Sequence, residues 1–420
     1  MFYGLLDTQR RLTRTLADNA LNACQSLCGE WTAALPRASR DWLMRATCAF
    51  DAAPPFAIAA VQSGGRWVPV EESIVDEMPI GNLHKFTRAR GDGPVCGAGP
   101  VLLCAPLAGH HAVMLRETVE TLLETHDTVY ITDWADARDI PLAAGPLALS
   151  DYVHSLERFI GIVTACGAPA HIVAVCQACV PALAAASLLA RHNPHCLGSV
   201  ALLGGPIDTR LHRTAVDRFA NSHPLSWFRD NVIDVVPPPY RGAGRRVYPG
   251  FLQQAAIIAA QPSRQLGLEA RYWSNWFAGN LRDAQAALRS LNEYAAVLDM
   301  SERYFLDMLC VVFHENLLAR GAWSIDGRRV DTATLAQVPL CTVEGDRDDI
   351  TGAGQTHCAH ALCHAPDTPR NRHATIDQCD HYDLFTGPRW RNAVHPLLCE
   401  FWGVAERAGQ TKVPLEARVQ

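Results

Sequence analysis

Short apolar runs alternate with longer amphipathic stretches through the middle of the chain. Residues 100–106 (Pro-Val-Leu-Leu-Cys-Ala-Pro) read as a buried strand, 114–124 as an amphipathic helix and 128–134 (Thr-Val-Tyr-Ile-Thr-Asp-Trp) as a second strand. A helical pattern covers 147–166, an apolar run 171–175, an Ala/Leu-rich helix 181–190 and a further strand 197–203. Short unbroken apolar runs bounded by turn residues fit strands buried on both faces. Strands alternating with helices predict an α/β fold with a parallel sheet and right-handed crossovers.

After Gly204-Gly205-Pro206 the strand pattern fades. Residues 207–336 hold helical patterns, the turn Pro237-Pro238-Pro239 and the aromatic stretch Tyr272-Trp273-Ser274-Asn275-Trp276-Phe277. A strand pattern resumes at Val338-Pro339-Leu340-Cys341-Thr342-Val343-Glu344. The predicted organisation is therefore 1–99 as an N-terminal helical extension with leading strands and 100–206 as the first part of the core. Residues 207–336 form a helical lid insertion, and 337–420 the second part of the core. The extension is expected to pack through apolar positions near Leu5, Leu12, Leu16, Leu21 and Leu27. Short strands are expected around 56–61 and 67–70.

The strand at 171–175 ends in Ala174-Val175-Cys176-Gln177-Ala178, with small residues two positions either side of a cysteine. This is the outline of a nucleophile elbow, G-x-S-x-G, with Ala at both small positions and Cys for Ser. The small residues are needed because the turn is sharp. The N–H groups of the following helix favour a thiolate and a developing oxyanion. Downstream, Gly345-Asp346-Arg347-Asp348-Asp349-Ile350 has the look of an acid loop after a late strand, and its register favours Asp348 over Asp346 and Asp349. Asp380-His381-Tyr382 then places a histidine on a loop. The order nucleophile, acid, histidine is that of a hydrolase triad. Cys179 is the competing nucleophile, one turn into the helix. Cys176-Gln177-Ala178-Cys179 also spells C-x-x-C, but a redox role leaves the long insertion and the late histidine without a task. In such a site one oxyanion donor is the N–H of Gln177. The other comes from the loop after an early core strand, at Leu107 or Ala108.

Composition narrows the classes. A net charge of −6 argues against nucleic acid as the main partner. The 49% hydrophobic content supports a sizeable core. No run of eighteen or more apolar residues predicts a membrane span. Residues 1–19 lack the apolar core of a secretory signal. The fifteen cysteines are thus expected to be reduced, as in a cytoplasmic protein, and an odd number excludes complete internal pairing. His357, Cys358, His360, Cys363 and His364 crowd one segment, but their spacing matches no standard zinc knuckle and helix faces are the expected reading. No metal or organic cofactor is called for.

Taken together, the chain resembles the intracellular polyhydroxyalkanoate (polyhydroxybutyrate) depolymerases of the α/β-hydrolase superfamily. The resemblance covers most of the chain and rests on five stretches in order. These are Ala105-Pro106-Leu107-Ala108-Gly109-His110, residues 131–138, Val175-Cys176-Gln177-Ala178-Cys179-Val180-Pro181, residues 344–350 and His381-Tyr382-Asp383-Leu384-Phe385-Thr386-Gly387. It implies an α/β-hydrolase fold and a Cys-Asp-His triad falling on Cys176, Asp348 and His381. It also implies polyester hydrolysis through a thioester, granule association, and water or a thiol such as coenzyme A as acceptor. Trp273, Trp276 and Phe277 are candidates for contact with an apolar polymer. Two rivals remain. Polyester synthases share the Cys-Asp-His set but carry glycine-rich flanks, where this chain has Ala174 and Ala178-Cys179. A weakly catalytic granule-binding protein would use the apolar lid alone.

Overall fold

The protein is described by a computed structural model covering residues 2–28, 39–40, 42–43, 45, 53–89, 99–260, 262–366 and 368–410. Nine strands form the central sheet: β1 (Ala60–Ser63), β2 (Arg66–Met78), β3 (Gly81–Arg88), β4 (Val101–Cys104), β5 (Thr128–Trp134), β6 (Ala170–Val175), β7 (Leu197–Leu203), β8 (Leu340–Gly345) and β9 (Arg372–Ile376). Their spatial order is β1-β2-β3-β5-β4-β6-β7-β8-β9. The six strands from β5 to β9 in that order are parallel, while β1, β2 and β3 pair antiparallel, β3 against β5. This is the sheet of an α/β-hydrolase.

The parallel strands are apolar on both faces because both faces are covered. Leu102, Cys104, Ile172, Ala174, Val200 and Leu202 point to one core, shared with helices α3 (Leu149–Thr164) and α4 (Cys179–Ala190). Val101, Leu103, Val173, Val175, Ala201 and Leu203 alternate with them and point to the other. That second core is closed by α2 (Arg116–Thr125) and α9 (His395–Gln410). Helix α4 is apolar almost all round and is correspondingly buried all round.

Five expected core strands, β4 to β8, appear within a few residues of their expected positions. The sequence reading missed the length of β2 and all of β3 and β9. In β2 consecutive positions Glu71 to Val75 are exposed and Glu71, Glu72, Asp76 and Glu77 are charged, which dilutes the strand signal, and its register shifts between Ile74 and Asp76. The sheet thus begins well before residue 100.

Between β7 and β8 the chain forms α5 (Gly250–Ala260), α6 (Pro262–Phe277), α7 (Leu281–Ala295) and α8 (Glu302–Met308), with a small three-stranded sheet. The N-terminal α1 (Phe2–Cys28) rests on this region. Its docking differs from the expected leucine stripe: Leu5, Leu12 and Leu16 are 67%, 59% and 60% exposed. Helix α1 is held instead by polar and aromatic contacts. The Tyr3 hydroxyl donates to Asp299 (2.6 Å), the Tyr240 hydroxyl donates to Asp7 (2.6 Å), and Arg10 lies over the Phe251 ring. The Leu27 side chain and most of residues 29–52 lie outside the described residues. Among the described residues no helix is long and apolar enough to cross a membrane.

Beneath α9 lies a layer of buried histidines. His126 packs edge-on to Trp402 (4.6 Å between centroids), His171 also packs on Trp402, and His395 Nε2 meets Thr125 Oγ1 at 3.0 Å. Burial pushes the pKa of His126 down to about 3, and those of His171 and His395 to about 4. These values lie below the unfolded value of about 6.5. Between them the unfolded chain binds more protons than the folded one, so this stability is present above pH 6.5 and is lost as pH falls. Melting temperature is expected to drop between about pH 6.5 and 4, and His126→Asn is expected to flatten that slope. A denaturation series across this range checks it, and an unchanged slope in the variant refutes the assignment.

Candidate active site

Parallel strands deliver their C-terminal ends to one edge of the sheet, and that edge collects the expected residues. Strand β6 runs into a 3-10 turn, Cys176–Ala178, and then α4. Cys176 has φ of +53°, a left-handed conformation that costs a non-glycine residue about 1–3 kcal/mol. Ala174 and Ala178 are buried on either side. The neighbouring β7 must end in small residues for the turn to fit. A Cβ on Gly205 would fall 2.3 Å from Cys179 Cβ, and one on Gly204, itself at φ +58°, would fall 3.2 Å from His381 Cε1.

The two cysteines of the elbow differ sharply. Cys179 is fully buried, its thiol donates to Ala174 O (3.2 Å), and burial raises its pKa well above the ordinary range. Cys176 is half-buried at the turn itself. Only Cys176 combines the strained turn with access.

The acid and the base arrive from adjacent strands. After β8, Asp348 accepts the N–H groups of Ile350 (2.9 Å) and Thr351 (2.8 Å) on Oδ1. Its Oδ2 lies 2.7 Å from His381 Nδ1. A carboxylate with Oδ1 already engaged accepts here, so Nδ1 carries the proton and Nε2 faces the site. Both side chains are almost wholly buried. Asp346 instead receives the Cys379 N–H, which separates it from the histidine. Burial disfavours the charged His381 ring. The negative charge of Asp348 and its hydrogen bond to the ring, with a further contribution from neighbouring Cys176, outweigh burial and lift its pKa well above that of an ordinary histidine. Nε2 is buried without a hydrogen bond of ordinary geometry among the described residues, yet Cys176 is near enough to act on the ring.

On the opposite side, β4 lies beside β6 and leads into the loop holding Leu107 and Ala108. The Ala108 N–H donates to Gln177 Oε1 (3.0 Å). The structure therefore brings Cys176, Gln177, Leu107, Ala108, Asp348 and His381 together. It does not bring Trp273, Trp276 and Phe277 to them. Trp273 and Trp276 pack with Tyr272, Ala284 and Leu291 between α6 and α7, Phe277 is 73% exposed, and none of their ring contacts or hydrogen bonds reaches the triad. Helix α6 meets the histidine loop through Arg264, which lies over the Tyr382 ring (4.4 Å) and pairs with Asp383 (3.6 Å).

The sequence reading passed over Tyr304, Tyr382 and Arg264. Tyr382 adjoins the histidine and its hydroxyl lies 3.1 Å from His110 Nε2. Tyr304 and Arg264 are single residues inside the insertion and carry no local signal. Glu344 was read only as part of a strand. It accepts the N–H groups of Gly354, Thr356 and His357, so it anchors the segment after the acid loop. In the His/Cys cluster, His357 and His360 each approach Thr342 Oγ1, and Cys363 is buried. Among the described residues no group of three His, Cys, Asp or Glu is placed to hold a metal ion.

A strained elbow at the end of a central strand, with acid and histidine on the two strands beyond it, defines an α/β-hydrolase of the carboxylic ester hydrolase class. Residues 204–406, just under half of the chain, match the family described as PHB de-polymerase C-terminus. No curated protein matches the chain by sequence. Solved structures with a similar course include a carboxylesterase of Nitrososphaera gargenis (10% identity, TM-score 0.45, covering 83% of this chain and 99% of that one). Another is a monoacylglycerol lipase of Paleococcus ferrophilus (12%, 0.44, 74% and 96%). A third is the 2-hydroxy-6-oxo-6-phenylhexa-2,4-dienoate hydrolase of Rhodococcus sp. strain RHA1 (16%, 0.41, 80% and 99%). The fold is defined by the sheet order and the elbow, independently of these likenesses.

Replacing Asp348 by Asn removes the charge that raises the His381 pKa, so burial then dominates and the ring pKa falls. It also presents a donor to Nδ1 and favours the wrong tautomer. Turnover of an ester is expected to fall by about 10³–10⁴-fold. An NMR titration of the His381 ring, run beside the rate assay, checks both parts. A histidine that still titrates well above neutral would refute the electrostatic account.

Proposed function

We propose that this chain hydrolyses the ester bonds of polyhydroxyalkanoate, of short side chain such as polyhydroxybutyrate, with Cys176 as nucleophile, His381 as general base and Asp348 as its orienting acid. The observation that carries this reading is the His381–Asp348 pair at 2.7 Å beside a half-buried cysteine in a left-handed turn.

His381 Nε2 takes the Cys176 proton as sulfur attacks the ester carbonyl carbon. The tetrahedral oxyanion is met by N–H groups of the elbow and of the loop after β4. Collapse expels the alkoxide, which leaves with the proton from His381, and a thioester remains on Cys176. Water, deprotonated by the same imidazole, attacks the thioester. Sulfur leaves and is reprotonated, and the 3-hydroxyacid end departs. A thiol such as coenzyme A could take the place of water, because a thioester exchanges readily with thiols. The site we propose is cytoplasmic and works at the surface of polymer granules. The exposed apolar residues Leu266, Phe277 and Leu281 on α6 and α7 support contact with an apolar polymer.

The test is release of 3-hydroxyacid from amorphous polyhydroxybutyrate by parent, Cys176→Ala and Cys179→Ala proteins. Release by parent and Cys179→Ala, with none from Cys176→Ala, is the expected result. A folded, granule-bound parent that releases nothing refutes hydrolysis and moves the reading to polymer synthesis or binding.

A further inference from the structure

The loop after β4 is fixed by hydrogen bonds more than by packing. The Ala105 N–H donates to Thr132 Oγ1 (2.9 Å), Pro106 has no N–H, Ala108 donates to Gln177 Oε1 (3.0 Å), and Gly109 donates to Gln253 Oε1 (3.0 Å). Between Ala105 and Gly109, only the Leu107 N–H has no acceptor among the described residues. Leu107 is buried, but a small cavity lies against it, lined by Ala105, Trp134, Tyr152, Ala178 and Tyr304. A side chain with empty space on one side loses contacts there and is held less firmly by packing. The position of Leu107 therefore depends on its hydrogen-bonded neighbours.

One of those neighbours is itself held. Gln177 Oε1 accepts a second hydrogen bond, from the Tyr304 hydroxyl at 3.0 Å. A carboxamide oxygen can accept both, and two donors leave it one orientation. Tyr304 is buried at 2% exposure and packs on the Tyr152 ring (4.5 Å). Its N–H donates to Ser301 Oγ (3.1 Å), whose hydroxyl donates to Leu147 O (2.6 Å). The insertion thus reaches under the elbow with a rigidly seated phenol.

We infer that Tyr304 and the Gln177 side chain form a positioning brace, which sets the distance between the elbow and the loop after β4 so that the Leu107 N–H, and not that of Ala108, serves as the second oxyanion donor. This rests on the reading of Cys176 as nucleophile. Gln177 then acts twice, its backbone N–H toward the oxyanion and its side chain toward the loop. Tyr304 acts only through Gln177.

A brace of this kind affects the transition state and leaves substrate binding nearly untouched. A misplacement of about 1 Å in such a site costs on the order of 10²-fold in rate. With p-nitrophenyl butyrate as probe, Gln177→Met, which keeps the length and removes the acceptor, is expected to lower kcat by about tenfold to hundredfold. KM is expected to stay within about threefold, since ground-state binding is spared. Tyr304→Phe is expected to lower kcat by a smaller factor. The double variant is expected to be no slower than Gln177→Met alone, because both substitutions break one chain of contacts. Multiplicative losses in the double variant would overturn the coupling of Tyr304 through Gln177. A Gln177→Met protein with kcat raised, or with KM lowered at unchanged kcat, would show that the carboxamide blocks the Ala108 N–H instead of bracing the loop, and would overturn the inference. The parent and Cys176→Ala proteins are assayed alongside. If the parent does not turn the ester over, or Cys176→Ala still does, the proposed function has failed. If they behave as expected while the Gln177 and Tyr304 variants match the parent, the brace alone has failed.

Discussion

Everything at this site depends on one backbone conformation, the left-handed turn at Cys176. A strand that continued straight would carry the thiol into the core, and a helix begun one residue earlier would bury it, as Cys179 is buried. The turn lifts the sulfur to the edge of the sheet and points the start of α4 at it. The conformation is unfavourable for any side-chain-bearing residue, so the surroundings must enforce it. They do so by exclusion: Ala174, Ala178, Gly204 and Gly205 leave space for this path and little else. The apolar packing of β6 and α4 supplies the stability that offsets the strain.

The triad divides between two halves of the sheet. The segments after β4 and β6 hold Leu107, Ala108 and Cys176, the candidate oxyanion donors and nucleophile, and those after β8 and β9 hold Asp348 and His381. Strand β7 lies between them and contributes only the absence of side chains. The electrostatics follow from this placement. His381 is sealed from water, which alone would disfavour its charged form, and its pKa is raised because Asp348 is sealed in beside it, with its other oxygen already accepting two backbone N–H groups.

The parts legible in the sequence are those where local pattern and tertiary role coincide. Parallel strands buried on both faces read as unbroken apolar runs, so β4 to β8 were evident. The elbow was evident because its turn needs small residues at fixed spacing. Asp348 stood out from Asp346 and Asp349 by register, and the pair with His381 agrees with that choice. The antiparallel strands were obscured because β2 carries adjacent charges and is exposed at consecutive positions, and β3 mixes Asn82, His84, Lys85 and Arg88 with its apolar residues. Helix α1 was misjudged because leucines at helical spacing imply a buried face, whereas here Tyr3 and Asp7 do the docking and Leu5, Leu12 and Leu16 stay in water. Tyr304 and Arg264 had no local signature at all. Their importance comes from the place to which the insertion carries them, and a single sequence does not show where an insertion lands. Of the three aromatic residues of α6 singled out for their chemistry, Trp273 and Trp276 serve first in the small core between two helices, while Phe277 is exposed.

The division of the site between early and late strands has a consequence for the life of the chain before it is finished. During synthesis the elbow, α4 and the loop after β4 are complete long before β9 exists. In that interval Cys176 has neither base nor acid and is an ordinary thiol among many. On the proposed reading, its activation waits until the last parallel strand docks and places His381 against Asp348. The connectivity thus delays assembly of the proposed triad until residues near the end of the described chain, buried Cys379 among them, are in place.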